Sequence, residues 1–374
     1  MGFLRLYLAL CVVHAHTGNF IPWAVPSGRQ AVQMFFIISG FYMGMILDGR
    51  YKNIRDFYAS RWLRIAVPFY FHAAAIVLVS VAVGLLTSRW LAVEAYASQP
   101  FLSNGPAGII LAAITNLTIF GQDLVLFFQD PAGSGLQFTT NYALGSAPLY
   151  RYLIIPQCWS ISLELCFYAL APLLAGLRSS WLAVVIFASL AARLFAYQVL
   201  GLDHDPWNYR FLPFELLFFA LGLMAWRIYA LFRARWKVSG RPGPLAYAVI
   251  IFAVVACGYL LRRGQWFLGL SWGPALAELF LVACTVPLIV LAFHVTSRHG
   301  IDRATGELCY PIYLNHLFII VALRSFPEWQ PLASWFGLIT GITATLLAWV
   351  FWYFFQRAFD ERRHVRFGLA GTPS

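Results

Sequence analysis

Stretches of about 20 predominantly apolar residues recur along nearly the whole chain, each long enough to cross the hydrocarbon core of a bilayer as a helix. They lie at 4–24, 31–47, 66–87, 152–175, 181–200, 211–228, 244–261, 272–295, 307–323 and 333–355. With so little polar sequence between them, these segments predict an all-α fold, a polytopic integral membrane helical bundle of about ten transmembrane helices. No long polar region remains for a separate soluble domain. Residues 1–356 are therefore expected to form one membrane-embedded unit, with a basic cytoplasmic tail over 357–374. The first segment carries Arg5, His14 and His16 and has no convincing small-residue cleavage site, which favours a retained helix over a signal peptide.

A further apolar stretch, 106–128, is also long enough to cross. Charge placement argues against it. Basic residues collect on the cytoplasmic side of membrane proteins. With ten spans and both termini inside, 18 of the 26 Lys and Arg residues fall on that side, including the cluster Arg50, Lys52, Arg55, Arg61 and Arg64. An extra crossing would put the basic loop around Arg233 and Arg235, and the tail, on the side opposite to that cluster. Residues 88–150 are thus expected to form a long outward segment, partly re-entrant or surface-lying, either as a lid or acceptor-binding region or as a structured loop. The outward charges Arg262, Arg263 and Arg210, the last beside Asp203, His204 and Asp205, are either scattered loop charge or contacts for a polar acceptor.

Composition agrees with a membrane protein: 61% of the chain is hydrophobic and 11% charged, against roughly 25% charged in ordinary soluble domains. The net charge of +11 would suggest nucleic acid in a soluble protein, but no nucleic-acid motif accompanies it and topology accounts for its placement. The six cysteines lie in or beside apolar stretches without a CxxC pair, so neither a disulfide framework nor a metal site is expected, and they read as small packing residues.

Ionisable groups in the hydrocarbon region are costly and usually face a cavity or the bundle interior. This chain has several: Arg5, His14 and His16 in the first segment, His72, Glu164, Glu215, Glu278, and His316 beside Asn315. Arg5 and His16 are eleven residues apart. That is close to three helical turns, so they share a face about 16 Å apart along the axis. His14 points elsewhere. Arg61 and Arg64 are spaced to project from one helical face just before a span, suited either to phosphate or to lipid headgroups. Glu164, a lone carboxylate among apolar residues, must be paired, protonated or solvated. Ser39 and Gly40 permit close helix packing or close approach of a ligand.

Taken in order, these positions resemble the acyltransferase-3 family of membrane acyltransferases, which includes O-acetyltransferases of bacterial surface polysaccharides. Arg5 and His16 resemble its Arg–ten residues–His pattern. The run FFIISGF at 35–41 is similar to its second-helix motif. Arg61, Arg64, Ile65 and Pro68 resemble its Arg-x-x-Arg-Ile…Pro motif, and Trp159, Glu164, Phe167, Tyr168 and Pro172 its Trp…Glu…Phe-Tyr…Pro motif. Gly306, Tyr310, Tyr313, Leu314 and His316 resemble its late Gly…Tyr…Tyr-Leu-x-His motif. One departure is Cys309 before Tyr310, where serine is commoner. The hydrolase-like extracytoplasmic domain of some relatives is absent, which implies the compact, stand-alone form.

The resemblance implies an acyl-CoA donor, commonly acetyl-CoA, reached from the cytoplasm. It implies a carbohydrate or glycolipid acceptor hydroxyl presented outside, at a bacterial cytoplasmic (inner) membrane. No permanently bound cofactor or metal is implied, and membrane lipids are the other expected partners. His16 is then the expected catalytic base or a transient acyl carrier. Glu164 is the expected partner that orients His16 or a guanidinium. Arg5, Arg61 and Arg64 are expected to hold the donor's phosphates, and Ser39, Trp159, Tyr313 and His316 to support the site or the acceptor. The alternative is a transporter or flippase of a glycan or small anionic solute. It would carry an internal repeat with interrupted helices, and no convincing repeat is found.

Overall fold

The computed structural model describes residues 1–18, 21, 26–49, 51, 53–97, 105–131, 134–233, 248–249, 252–253, 256, 282–283, 285–297 and 299–368. Most of the expected span at 244–261, the first part of that at 272–295, and Glu278 with Arg262 and Arg263 lie outside the described residues. Among the described residues, seven helices are long and apolar enough to cross a membrane, and three shorter apolar helices accompany them. The count of about ten spans is therefore not reached by the long helices alone.

Among the described residues, the α-helices of eight residues or more are α1 (Gly2–Thr17), α2 (Gly28–Leu47), α3 (Ile54–Thr87), α4 (Pro106–Thr118), α5 (Trp159–Gly176), α6 (Ser179–Val199), α7 (Leu212–Phe232), α8 (Val286–Thr296), α9 (Gly300–Glu307), α10 (Cys309–Ser325), α11 (Phe336–Phe351) and α12 (Arg357–Arg366). One small antiparallel hairpin, β1 (Phe128–Gln129) with β2 (Gln137–Phe138), lies in the segment before α5. The bundle is thus essentially all-α.

Local chemistry starts these helices where the polar residues allow. Ser27 accepts from the backbone of Gln30 while the Gln30 side chain accepts from Ser27, a reciprocal cap that opens α2. Asn53 caps α3 through the Asp56 backbone. Hydropathy places the start of the third span at residue 66, but the helix begins at Ile54. The 34 residues of α3 extend about 50 Å, well beyond the roughly 30 Å hydrocarbon core, so Arg61 and Arg64 ride on a helix rather than a loop.

At the other end of the chain α11 passes through a five-residue π segment, Trp352–Gln356, into α12. Part of the expected tail is therefore helical. The stretch 106–128 does not form a crossing helix. It holds the 13-residue α4, about 20 Å long, followed by turns and a 3-10 segment. Its turn enters the bundle, where Phe120 stacks on Trp62 at 6.0 Å and Gly121 donates to Ser162.

Two contacts define how tightly the central helices pack. A Cβ on Gly40 would lie 2.0 Å from the Phe219 carbonyl oxygen, and one on Gly222 would lie 2.0 Å from that of Ile37. Paired glycines thus let α2 and α7 touch backbone to backbone, the membrane form of small-residue packing. A charged cluster crosses the same region. Arg193 of α6 pairs with Glu215 of α7, and Gln33 of α2 donates to the same carboxylate at 3.4 Å. Cys11, Cys158 and Cys309 are buried as free thiols in this packing.

Candidate active site

Asp302 opens the site from below. Its carboxylate accepts from the backbone N–H groups of Gly2 and Phe3, fixing the first turn of α1 against α9. One turn on, Arg5 faces a cavity of about 150 Å³ that six further helices help to line. Arg61 and Arg64 of α3 line it, as do Ser39 of α2, Glu164 of α5 and Tyr313 of α10. Six of the nine residues singled out from the sequence therefore converge on one cavity, although they are spread over more than three hundred positions.

Each guanidinium there is held differently. Arg64 pairs with Glu307 at 3.2 Å, with the two side chains 23% and 15% exposed. Arg61 donates to the Tyr51 hydroxyl at 3.2 Å, and its Nε is buried without a hydrogen-bond partner. Arg5 has Glu307 as a favourable charge and Arg64 as a like charge. The cavity wall thus concentrates positive charge against one carboxylate at this level. Glu164 does not join it through an ion pair. Its carboxylate accepts from Ser39 at 3.0 Å and from Tyr168 at 2.5 Å.

The cavity ends at Ser160 and Tyr313, whose hydroxyls lie 2.6 Å apart. Tyr313 also donates to the Gln157 carbonyl at 2.6 Å, and Gln157 returns two bonds to the backbone of α10. Beyond this polar layer is His316, fully buried, its ring centroid 5.7 Å from that of Tyr313. His316 Nδ1 lies 2.8 Å from the Tyr313 carbonyl. A carbonyl only accepts, so Nδ1 carries the proton and Nε2 is the bare nitrogen. That Nε2 has no hydrogen-bond partner.

His16, in the last turn of α1, is exposed and lies on the far side of His316, with ring centroids 5.4 Å apart. His16 and Glu164 are not brought together: Glu164 bonds to Ser39 and Tyr168, and the ring against His16 is that of His316. His14 accepts from the Ile21 backbone at 3.1 Å and so serves the chain that follows α1. His72 is buried against Phe351, with its Nδ1 on the Pro68 carbonyl.

Trp159 is placed on the His16 side, under the Arg210 guanidinium at 4.4 Å. Arg210 and Arg324 both project positive charge toward His16. Arg210 is anchored by Asp205 at 2.7 and 3.0 Å, and Tyr142 and Tyr209 donate to the same carboxylate. Burial pushes the Tyr209 phenol up to about 12 against the opposing pull of Arg210, so it remains a donor at neutral pH. The loop at 200–211 is thereby tied to the segment before α5 at Tyr142.

Glu307, Tyr51 and Gln157 were not singled out from the sequence, and Tyr168 was named only as part of a motif, without a role. Glu307 is separated from Arg64 by 243 positions, and nothing in one sequence announces that pairing. The nearest signal is its place directly after Gly306, inside the late motif.

No solved structure matches this chain. Among curated proteins it is similar to the exopolysaccharide production protein ExoZ of Rhizobium meliloti (strain 1021), at 26% identity over 356 residues, covering 93% of this chain and 95% of that protein. A family profile described as an acyltransferase domain matches residues 1–353, which takes in every element lining the cavity except the end of the π segment and α12. The chain belongs to the acyltransferase-3 family and is a membrane acyltransferase.

Proposed function

We propose that this protein is an O-acyltransferase, with acetyl-CoA as its donor, that modifies a hydroxyl of an exported or surface carbohydrate of the exopolysaccharide class at the cytoplasmic membrane. The observation that carries the reading is the arginine-lined cavity. It is rich in guanidiniums at the basic end of the bundle and closes at hydroxyl groups one residue layer from the imidazoles. Phosphates favour multiple guanidiniums, and a thioester on a long flexible arm needs a narrow polar channel. The similarity to a protein of exopolysaccharide production supports the acceptor class.

On this reading Arg5, Arg61 and Arg64 hold the donor's phosphates, with the basic mouth toward the cytoplasm as charge distribution favours. The acyl thioester lies toward Ser160 and Tyr313. The Tyr313 hydrogen is held by the Gln157 carbonyl, so the Ser160 hydroxyl, once turned from Tyr313, is the donor offered to the carbonyl oxygen as it gains charge. His16 removes the proton from the acceptor hydroxyl. The acceptor oxygen bonds to the acyl carbon, the carbon–sulfur bond breaks, and the CoA thiolate leaves toward the cavity. His316, its Nδ1–H tied to a backbone carbonyl, offers Nε2 to the N–H of His16. That leaves the other nitrogen of His16 as the base. Glu164 acts through Ser39 and Tyr168 as a positioning group of the cavity wall.

The test uses purified protein in lipid nanodiscs with radiolabelled acetyl-CoA, with and without exopolysaccharide fragments. Transfer of label to the carbohydrate by wild type and its loss in His16→Ala, with donor binding retained, is the expected result. Folded wild-type protein that neither binds acetyl-CoA nor releases CoA sinks the donor assignment. Label that stays on His16 without acceptor would replace the base role by an acyl-imidazole step.

A further inference from the structure

The cavity has a wall that the family match does not cover. The match ends at residue 353, yet Gln356 and His364 line the cavity. They come from the π segment and α12. A π turn winds the chain by one extra residue and rotates every later side chain about the helix axis. Here it falls at Trp352–Gln356, ending on Gln356 and preceding the turn that carries His364. Gln356 is buried. Its amide nitrogen reaches Glu307 at 3.4 Å, and its Oε1 has no hydrogen-bond partner.

Docking of α12 is specific. Arg363 is buried, donates through Nη1 to Ser60 at 2.9 Å, and pairs with Asp360 at 2.8 Å. Ser60 directly precedes Arg61, so α12 packs on the part of α3 that carries the arginine pair. Arg363 Nη2 lies 3.4 Å from His364 Nε2. A guanidinium only donates, so Nε2 is the accepting nitrogen and Nδ1 carries a hydrogen. His364 therefore offers a donor at the mouth of the cavity. Around that mouth stand Arg5, Arg61, Arg64 and Arg363, with Glu307 and Asp360 as the carboxylates paired to them. The surplus is positive and suits a phosphate monoester dianion.

We propose that α12 is part of the donor site, and that His364, braced by Arg363, binds the 3′-phosphate on the ribose of coenzyme A. The assignment rests on the acyl-CoA reading above and extends it to a helix outside the matched family region. The 3′-phosphate sits at the opposite end of the donor from the thioester, as α12 sits at the opposite end of the cavity from Ser160 and Tyr313.

The experiment compares acetyl-CoA with acetyl-3′-dephospho-CoA as donors for wild type, His364→Ala and Gln356→Leu in neutral phosphatidylcholine nanodiscs. Wild type is expected to show a KM about tenfold lower for acetyl-CoA. His364→Ala should erase that preference by raising the KM for acetyl-CoA, with kcat and the KM for the dephospho donor unchanged. Gln356→Leu should leave the preference for the 3′-phosphate intact. A preference that survives in His364→Ala overturns the proposal, and so does an equal loss with both donors, which marks α12 as a structural brace. A variant effect seen only after adding anionic phosphatidylglycerol assigns His364 to lipid headgroups and likewise overturns it. Wild-type protein that turns over neither donor removes the acyl-CoA reading itself, an outcome distinct from any change in the variants.

Discussion

Replacing Arg193 by methionine should destabilise the bundle by about 3–5 kcal/mol while leaving the chemistry of the folded fraction intact. Arg193 is 1% exposed and Glu215 is fully buried. The carboxylate accepts from the guanidinium and, at the long distance of 3.4 Å, from Gln33. Its second oxygen has no partner. Once the guanidinium is gone, a buried carboxylate keeps one weak hydrogen bond, the situation that costs most. Glu215→Leu alone should cost less, near 3 kcal/mol, because Arg193 also donates to the Phe214 carbonyl at 3.0 Å and lies over the Phe218 ring at 5.2 Å. The double variant should return to within about 1–2 kcal/mol of wild type, since two apolar side chains of similar volume need no partner. Reversible unfolding in mixed micelles, run as a double-mutant cycle, reads the coupling directly. A coupling below about 1 kcal/mol, or a double variant as unstable as Arg193→Met, would refute the claim that this pair is scaffold whose value lies in mutual neutralisation.

Other outcomes bear on the site. His16→Ala should lower kcat by about 10²–10⁴-fold with little change in acetyl-CoA binding, measured by equilibrium binding beside turnover. Glu307→Gln removes the charge that competes for Arg64, so acetyl-CoA should bind several-fold tighter at low salt. The gain should shrink as ionic strength rises, and a weakened donor would contradict the assignment of Arg64. Gly222→Val, whose Cβ would sit 2.0 Å from a backbone oxygen, should abolish a monodisperse folded protein in detergent. Gly176→Ala, with nothing within 4 Å, should be silent.

Hydropathy located the long helices because it senses lipid, and it failed where helices leave lipid. Ile54 to Ile65 is helical, yet Arg55, Asp56, Arg61 and Arg64 make it read as a loop. The same holds for α12, whose residues include six charged positions. Helical hydrogen bonds continue in water when a neighbour anchors the segment, here Ser60 and Arg363 for each other. The stretch 106–128 shows the converse: it is apolar enough to cross, but Gly121 with φ +81° and Ile119 with φ +65° break the helix after Thr118. Cavity membership of Arg5, Ser39, Arg61, Arg64, Glu164 and Tyr313 followed from recognising ordered motifs. Their separate jobs did not, because Glu164 meets Ser39 across 125 positions and Arg64 meets Glu307 across 243.

On the proposed reading, the separation of the two charge systems gives the imidazoles and the hydroxyl layer distinct tasks. Arginines line the cavity on one side of Ser160 and Tyr313, and His16 lies on the other, near Arg210 and Trp159. If His16 opened directly into the cavity, water and a reactive thioester would share one space, and hydrolysis would compete with transfer. In that reading, the layer of Gln157, Ser160 and Tyr313 keeps the thioester apart from water until an acceptor is present at His16. The same layer holds His316 through the Tyr313 carbonyl, so the residue that closes the cavity also sets which nitrogen of the second imidazole is bare. On the proposed reading, Tyr313→Phe removes only the hydroxyl of this layer and leaves the backbone carbonyl on His316 in place: it should raise CoA release without acceptor, and by that loss of donor lower transfer to carbohydrate, whereas a purely structural tyrosine would lower both together.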